Sequence, residues 1–450
     1  MSGELIGIIC FLGMLFLIFN GFPIAISMFL ASSVGFLWLK GWNFAILGAQ
    51  LGNTLFNNSA SYEFAVLPLF ILLGTLAGVT GIAEQAFDAI HTWLGRIKGG
   101  TLFTVIVANG IYGACAANSS AGTIIFSRLA QPSLKKEGYD EKLSLGVLCS
   151  SGSLASLIPP SQAILTICLV APACMYGGSQ VQMSLGTGLM CGIVPGILLI
   201  ALLCLTVRVY GVVKKGTVPE PSTEKTPIKE KLKTLKLLLP ILALFVIMIG
   251  GASLGWFSTT VAGAIGAVVV CIYAFAKRVP LKKVWECFWE SCLMQASIFI
   301  IIVAGNCFSK FIASSGLTSF LGSAVSKLSA PPIIMFAIVM VFFLIGGAIM
   351  NVVPLIICTC SIVYAVLVDG CGYHPYVVMI ALVLLVEVAQ LTPPIGMGTY
   401  IVANALRMDP MKIFKAVVPF FVVLFLYTFV LALVPQIVTG LPHLMGILSY

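Results

Sequence analysis

Charge is what this sequence has least of: 9% of its 450 residues are Asp, Glu, Lys or Arg, against 60% that are apolar. A soluble domain carries about 25% charged residues, so this chain cannot build a water-facing surface around itself. With a mean hydropathy of +1.11, lipid must be the solvent for most of it. Histidine is nearly missing too; His91, His374 and His443 are all there is, which leaves little for a metal centre. The 14 cysteines are scattered through apolar runs, as at Cys10, Cys115, Cys191, Cys271 and Cys307, without a CxxC or Cys/His cluster. They read as small buried apolar side chains rather than metal ligands or disulfide partners. A Walker-type phosphate loop is also lacking, which argues against ATP-driven pumping by this chain. No His/Asp/Ser constellation stands within the apolar runs, so neither an enzyme nor an organic cofactor is expected.

What is present is a succession of apolar runs, each about 20 residues long, from Leu5 to Met445. They predict an all-α polytopic membrane protein embedded in the lipid bilayer. The first run follows Glu4 rather than a basic segment, and a second begins at once at Gly21-Phe22-Pro23-Ile24, so a retained span is preferred over a signal peptide. The basic residues are bunched. Eight of the 24 Lys and Arg lie from Arg208 to Lys236, and four more follow at Lys277, Arg278, Lys282 and Lys283. Two spans fit between the bunches, roughly Leu237–Gly250 and Phe257–Ala276, which returns the chain to the same side. The positive-inside rule makes that side the cytoplasm. Basic residues held between spans, with no soluble domain around them, do not suggest a nucleic-acid partner.

The polar stretch Lys214–Lys233, with Pro219, Pro221 and Pro227, divides the chain nearly in half. It predicts a first membrane repeat at 1–210, a basic cytoplasmic linker at 211–236 and a second repeat at 237–450. The halves compare directly. Phe103, Gly113 and Asn118 fall on Phe336, Gly346 and Asn351 at a constant offset of 233. Downstream, Pro159-Pro160 follows Asn118 by 41 residues, and Pro393-Pro394 follows Asn351 by 42. Shared chemistry at both ends of a shared interval marks an internal repeat.

Asn118-Ser119-Ser120-Ala121-Gly122-Thr123 is a polar island flanked by apolar segments too short to cross separately. A re-entrant hairpin fits it, and around Asn351 the pattern returns. Such backbone is tolerated at depth only where it lines a protein cavity. Each Pro-Pro pair removes two backbone donors and breaks its helix. A broken helix offers free N–H groups to an anion and free carbonyls to Na⁺. Asn118, Ser119, Ser120, Thr123, Pro159, Pro160, Asn351, Pro393 and Pro394 are therefore candidate site residues.

Tyr62–Gln85, Pro132–Asp140, Ser150–Ser161 (SSGSLASLIPPS) and Leu391–Tyr400 (LTPPIGMGTY) resemble the large membrane subunit of tripartite ATP-independent periplasmic (TRAP) transporters, and the similarity runs almost end to end. The resemblance implies two inverted repeats with re-entrant hairpins and discontinuous Pro-Pro helices, arranged as elevator-type scaffold and transport domains. It implies Na⁺-coupled uptake of a small organic anion delivered by a periplasmic solute-binding protein, with a small four-helix membrane subunit as partner. The family's sodium sites carry over to Asn118, Ser119, Ser120, Ser153, Ser161, Gly346, Asn351, Thr392, Pro393 and Gly396. Departures bear on the cargo and the number of Na⁺ bound more than on the fold. Ala116-Ala117-Asn118 replaces a usual Ser-Gly-Ser, Asn351 a common Asp, Gly398 a common Asn, and Val261 a typical Glu. A related ion-coupled organic-anion transporter working without a binding protein would share the same repeats.

Glu387, five residues before Thr392 in an apolar run, is costly at that depth unless paired or facing a cavity. It reads either as an ion-coupling group or hinge, or as a strut bonded to Gln390 or nearby backbone. Lys310 reads as a snorkelling side chain and Arg128 as a hairpin anchor. The stretch Gly81–Lys98, with Glu84, Asp88 and His91 on its polar side, reads as an interfacial helix.

Overall fold

In lipid each backbone amide must be satisfied within its own segment, which leaves the helix as the way for this chain to fold. The computed structural model describes residues 2–116, 118–220, 227–327, 331–347, 350, 352–393 and 396–448. Among these, helix dominates. The one sheet is a short antiparallel pair, Cys174–Tyr176 with Ser179–Val181, turned through Gly177 and Gly178, both in the left-handed region at φ 59° and 79°.

Among the described residues six helices are long and apolar enough to cross a bilayer: Tyr62–Val79, Leu185–Val213, Thr259–Ala276, Leu281–Ser314, Val353–Gly370 and Pro410–Leu433. A bent pair, Glu141–Leu157 with Gln162–Val170, makes a seventh if counted as one span. Thr259–Ala276 lies between the two basic bunches, whereas Ile228–Phe245, prolonged through a π-turn at Val246–Gly250, begins inside the first bunch, so helix reaches back into the stretch expected to be linker. The stretch expected at the interface forms the amphipathic helix Ile82–Leu94, with Ala83, Ala86 and Phe87 buried and Glu84 and Asp88 exposed. His91 does more than face water, since its ring stacks on Phe87 at 5.7 Å.

Small residues let the helices approach, as membrane packing requires. The 34-residue helix Leu281–Ser314 is the longest element. Helix Ile24–Leu39 lies on it where a Cβ at Gly35 would fall 2.2 Å from the Phe311 ring. Helix Val66–Val79 meets it at Thr75 and Ser291, whose hydroxyls are 2.8 Å apart. Thr259–Ala276 in turn seats Gly263 and Gly266 on Phe70 and Leu73.

In each half a helix pair folds back on itself. Gly100–Ala116 and Ser119–Lys136 bring Tyr112 and Phe126 into edge contact at 5.8 Å. Pro332–Gly347 and Val352–Tyr364 return so that Gly346 and Gly347 pack on Leu355. At the centre runs Pro375–Ala389, every residue of which is buried. At the periphery Phe44–Ala60 buries only Leu51 and Thr54.

Candidate functional site

The first helix pair turns at Asn118, whose backbone is extended (φ −140°, ψ 127°) and whose side chain accepts from the Ser120 N–H at 2.8 Å. This is an N-cap, satisfying one of the free donors at a helix start. Thr123 Oγ1 donates back to the Ser119 carbonyl at 2.9 Å, and both residues are buried. The pair is pinned to the next element by Asn109, whose Nδ2 donates to Ser151 Oγ at 3.0 Å. Gly113 allows the same approach, because a Cβ there would lie 2.7 Å from Ala155 Cα.

That next element is the first broken helix. Its arms, Glu141–Leu157 and Gln162–Val170, meet at 44°. Pro159 and Pro160, joined by a cis bond, are both buried. Ser161 caps the second arm by accepting from the Ile164 N–H at 3.2 Å, while its hydroxyl donates to the Ser156 carbonyl. Ser153 Oγ donates to the Ser150 carbonyl at 2.7 Å.

The second break follows Pro375–Ala389. Thr392 Oγ1 donates to the Ala389 carbonyl at 2.6 Å, Gly396 N–H to the Thr392 carbonyl at 3.0 Å, and Gly398 N–H to the Gln390 carbonyl at 3.1 Å. The chain then resumes as helix Met397–Leu406. Pro393 is exposed. Asn351, Pro394 and Ala117 lie outside the described residues.

One bond joins the two breaks. Ser156 Oγ donates to Glu387 Oε1 at 2.5 Å across 231 residues of sequence, and both side chains are buried. Of the two readings of Glu387, the strut is corrected in its partner: the carboxylate reaches not Gln390 or local backbone but the other half of the chain, because packing places the Ser153–Leu157 arm against Pro375–Ala389. Beside this bond lies a void of about 10 Å³ lined by Ser119, Ser120, Thr123, Gly152, Ser153 and Glu387, with Gln390 and Gly398. Adjoining residues open onto a larger cavity of about 310 Å³. Asn118, Ser119 and Ser120 begin one helix at its wall, and Gln162 and Ala163 begin another. Val353 and Pro354 of the second helix pair, and Met294, Ser297 and Ile301 of the long helix, complete it.

Six candidates from the sequence therefore share these two spaces: Asn118, Ser119, Ser120, Thr123, Ser153 and Glu387. Pro159, Pro160, Ser161, Thr392, Pro393 and Gly396 shape the breaks, and Gly346 the second helix pair, without lining either space. Lys310 and Arg128 are exposed and line neither. The sequence reading missed Ser156, Gln162 and the long-helix wall, and named Gln390 only as a partner for Glu387. Gln162 stands directly after the first Pro-Pro-Ser and was the most findable; it is 7% exposed. Among the described residues no group of three or more His, Cys, Asp or Glu side chains converges.

Apolar spans closing around two interrupted helices, with a polar void between the breaks, define a multi-pass membrane permease. Residues 11–437 match the family described as "Tripartite ATP-independent periplasmic transporter, DctM component". The chain belongs to that family, the large permease subunits of TRAP transporters, and is a protein of the bacterial inner membrane. It is 27% identical to a C4-dicarboxylate TRAP transporter large permease protein DctM of Vibrio cholerae, covering 94% of this chain and 95% of that one. It is 26% identical to the ectoine TRAP transporter large permease protein TeaC of Halomonas elongata, covering 94% and 96%. Against the 2,3-diketo-L-gulonate TRAP transporter large permease protein YiaN of Escherichia coli it is 23% identical, covering 93% and 94%. Among solved structures, the YdaH transporter of Alcanivorax borkumensis aligns with a TM-score of 0.57 at 15% identity, covering 87% of this chain and 89% of that one. At that identity the likeness concerns the fold alone.

Proposed function

We propose that this permease carries a small organic anion inward with Na⁺, receiving it from a periplasmic solute-binding protein and working beside a small four-helix membrane subunit. The observation that carries the reading is the meeting of two helix N-termini, at Ser119 and Gln162, on one cavity of about 310 Å³. Free N–H groups and the positive helix ends favour a carboxylate there. The volume suits a small solute, at the lower end of the usual range for ligand sites. For the cation, the neighbouring void of about 10 Å³ is the size of a single small guest. Its hydroxyls, unwound backbone and one carboxylate form the oxygen donor set that Na⁺ takes. The reading gives the chain no catalytic step.

Movement follows from the same arrangement. The two helix pairs and two broken helices form one body bonded through Ser156 and Glu387, while Leu281–Ser314 supplies the opposing wall. Sliding that body past the long helix, as an inverted-repeat elevator, would expose the cavity to each side in turn. Asn118→Leu removes the cap and one cavity wall, so Na⁺-dependent uptake into proteoliposomes should be lost at unchanged expression; Asn351→Leu, its partner in the repeat, should do the same. Uptake at the original rate in both variants would overturn the assignment. Thermal-shift screening of the cognate binding protein against organic acids would identify the cargo.

A further inference from the structure

Away from the two breaks, a cavity of about 760 Å³ opens where helix Ile193–Val213 runs out into the polar linker. One side is apolar: Phe103, Val207 and Val212, the last 71% exposed. The other carries Lys98, Arg208 and Lys215 with a single acid, Glu220. Glu220 is taken by Lys98 at 2.7 Å, and that is the one ion pair among the described residues. Among the described residues, Arg208 and Lys215 therefore have no carboxylate partner. Rings mark the same end of the molecule. Lys214 sits over Tyr210 at 4.8 Å, and Lys231 over Trp93 at 5.5 Å. Cations alternating with Trp and Tyr are the signature of the cytoplasmic membrane interface.

A free inorganic anion would match the two unpaired cations but leave the apolar wall wet. A neutral lipid would cover the wall and leave the cations unmatched. We propose that this cavity binds an anionic phospholipid, with its phosphate at Arg208 and Lys215 and its acyl chains along Val207 and Val212. Basic pockets between helices on the cytoplasmic side suit such headgroups. The cavity is separate from the cargo and cation spaces, so its occupancy would tie the linker end of the first half to the membrane surface.

The test uses the purified, delipidated full chain, with lipid retention read by native mass spectrometry and unfolding temperature followed in parallel. Phosphatidylglycerol should be retained and raise the unfolding temperature, while phosphatidylcholine and sodium phosphate at equal concentration should not. The double variant R208Q/K215Q should bind phosphatidylglycerol about thirtyfold more weakly, at about 1 kcal/mol for each cation. K282Q/K283Q, in the other basic loop, should match the original chain and serves as the control for lost charge. Equal retention of the two lipids, saturation by phosphate alone, or undiminished binding in R208Q/K215Q would each overturn the proposal.

Discussion

The two Pro-Pro breaks look alike in sequence and differ in the folded chain. At the first, Pro159, Pro160 and Ser161 are all buried, the second arm is capped, and the Ser161 hydroxyl reaches back to the Ser156 carbonyl. At the second, Thr392 is half-buried, Pro393 is exposed, and Gly396 takes an irregular conformation (φ 1°, ψ 86°). A sealed, capped break resists rearrangement, since opening it would leave buried donors and acceptors unpaired. An open one can change shape at less cost. The first break is thus the fixed side of the small void and the second its adaptable side, with Glu387 bridging them; under the proposed function that void holds the cation.

The largest expected effect comes from cutting the bridge. Glu387→Leu strands the Ser156 hydroxyl and removes the one carboxylate of the void. Na⁺-dependent uptake should vanish, while thermal unfolding should show a loss of only about 1–3 kcal/mol, the cost of leaving the buried Ser156 hydroxyl unsatisfied. Ser156→Ala removes one hydrogen bond to the carboxylate, worth about 1.5–3 kcal/mol, and should weaken Na⁺ activation about tenfold without abolishing uptake. Equal behaviour of the two variants would mean that the bridge is not what joins the breaks.

A smaller effect should separate the glycines. A Cβ at Gly152 would fall 1.9 Å from Thr123 Oγ1, inside the packed first break. Gly152→Ala should therefore cost about 1–3 kcal/mol through overpacking and raise the Na⁺ concentration needed for half-maximal uptake. At Gly396, itself buried, the new Cβ would meet the Thr392 and Gln390 carbonyls at 2.7 and 2.9 Å and the Phe414 ring at 2.8 Å. Gly396→Ala thus meets more obstruction than Gly152→Ala, and a smaller loss than that of Gly152→Ala would show the turn giving way, as an adaptable break does. Thermal unfolding in detergent, with and without Na⁺, ranks the two.

The smallest contrast lies in the hydroxyls. Ser161→Ala deletes an N-cap and should cost about 1 kcal/mol. Thr392→Ala removes a bond from a half-buried side chain to the carbonyl three residues before it, and should stay within about 0.5 kcal/mol. Reversal of that order would show that the second break is the rigid one.

Much of this was legible from residues alone, because the signals are local. Scarce charge and recurring apolar runs dictated a bilayer protein; the polar island from Asn118 to Thr123 marked where a helix pair turns back, and each Pro-Pro a break. Those features need only neighbours along the chain to act. Tertiary structure decided the rest. Nothing near Ser156 signals that its partner is Glu387, 231 residues on. Neither does the long apolar helix reveal that Met294, Ser297 and Ile301 close the larger cavity. Proline and capping act through the next turn of backbone, whereas a pairing across the fold exists only once helices have packed and set which side chains meet.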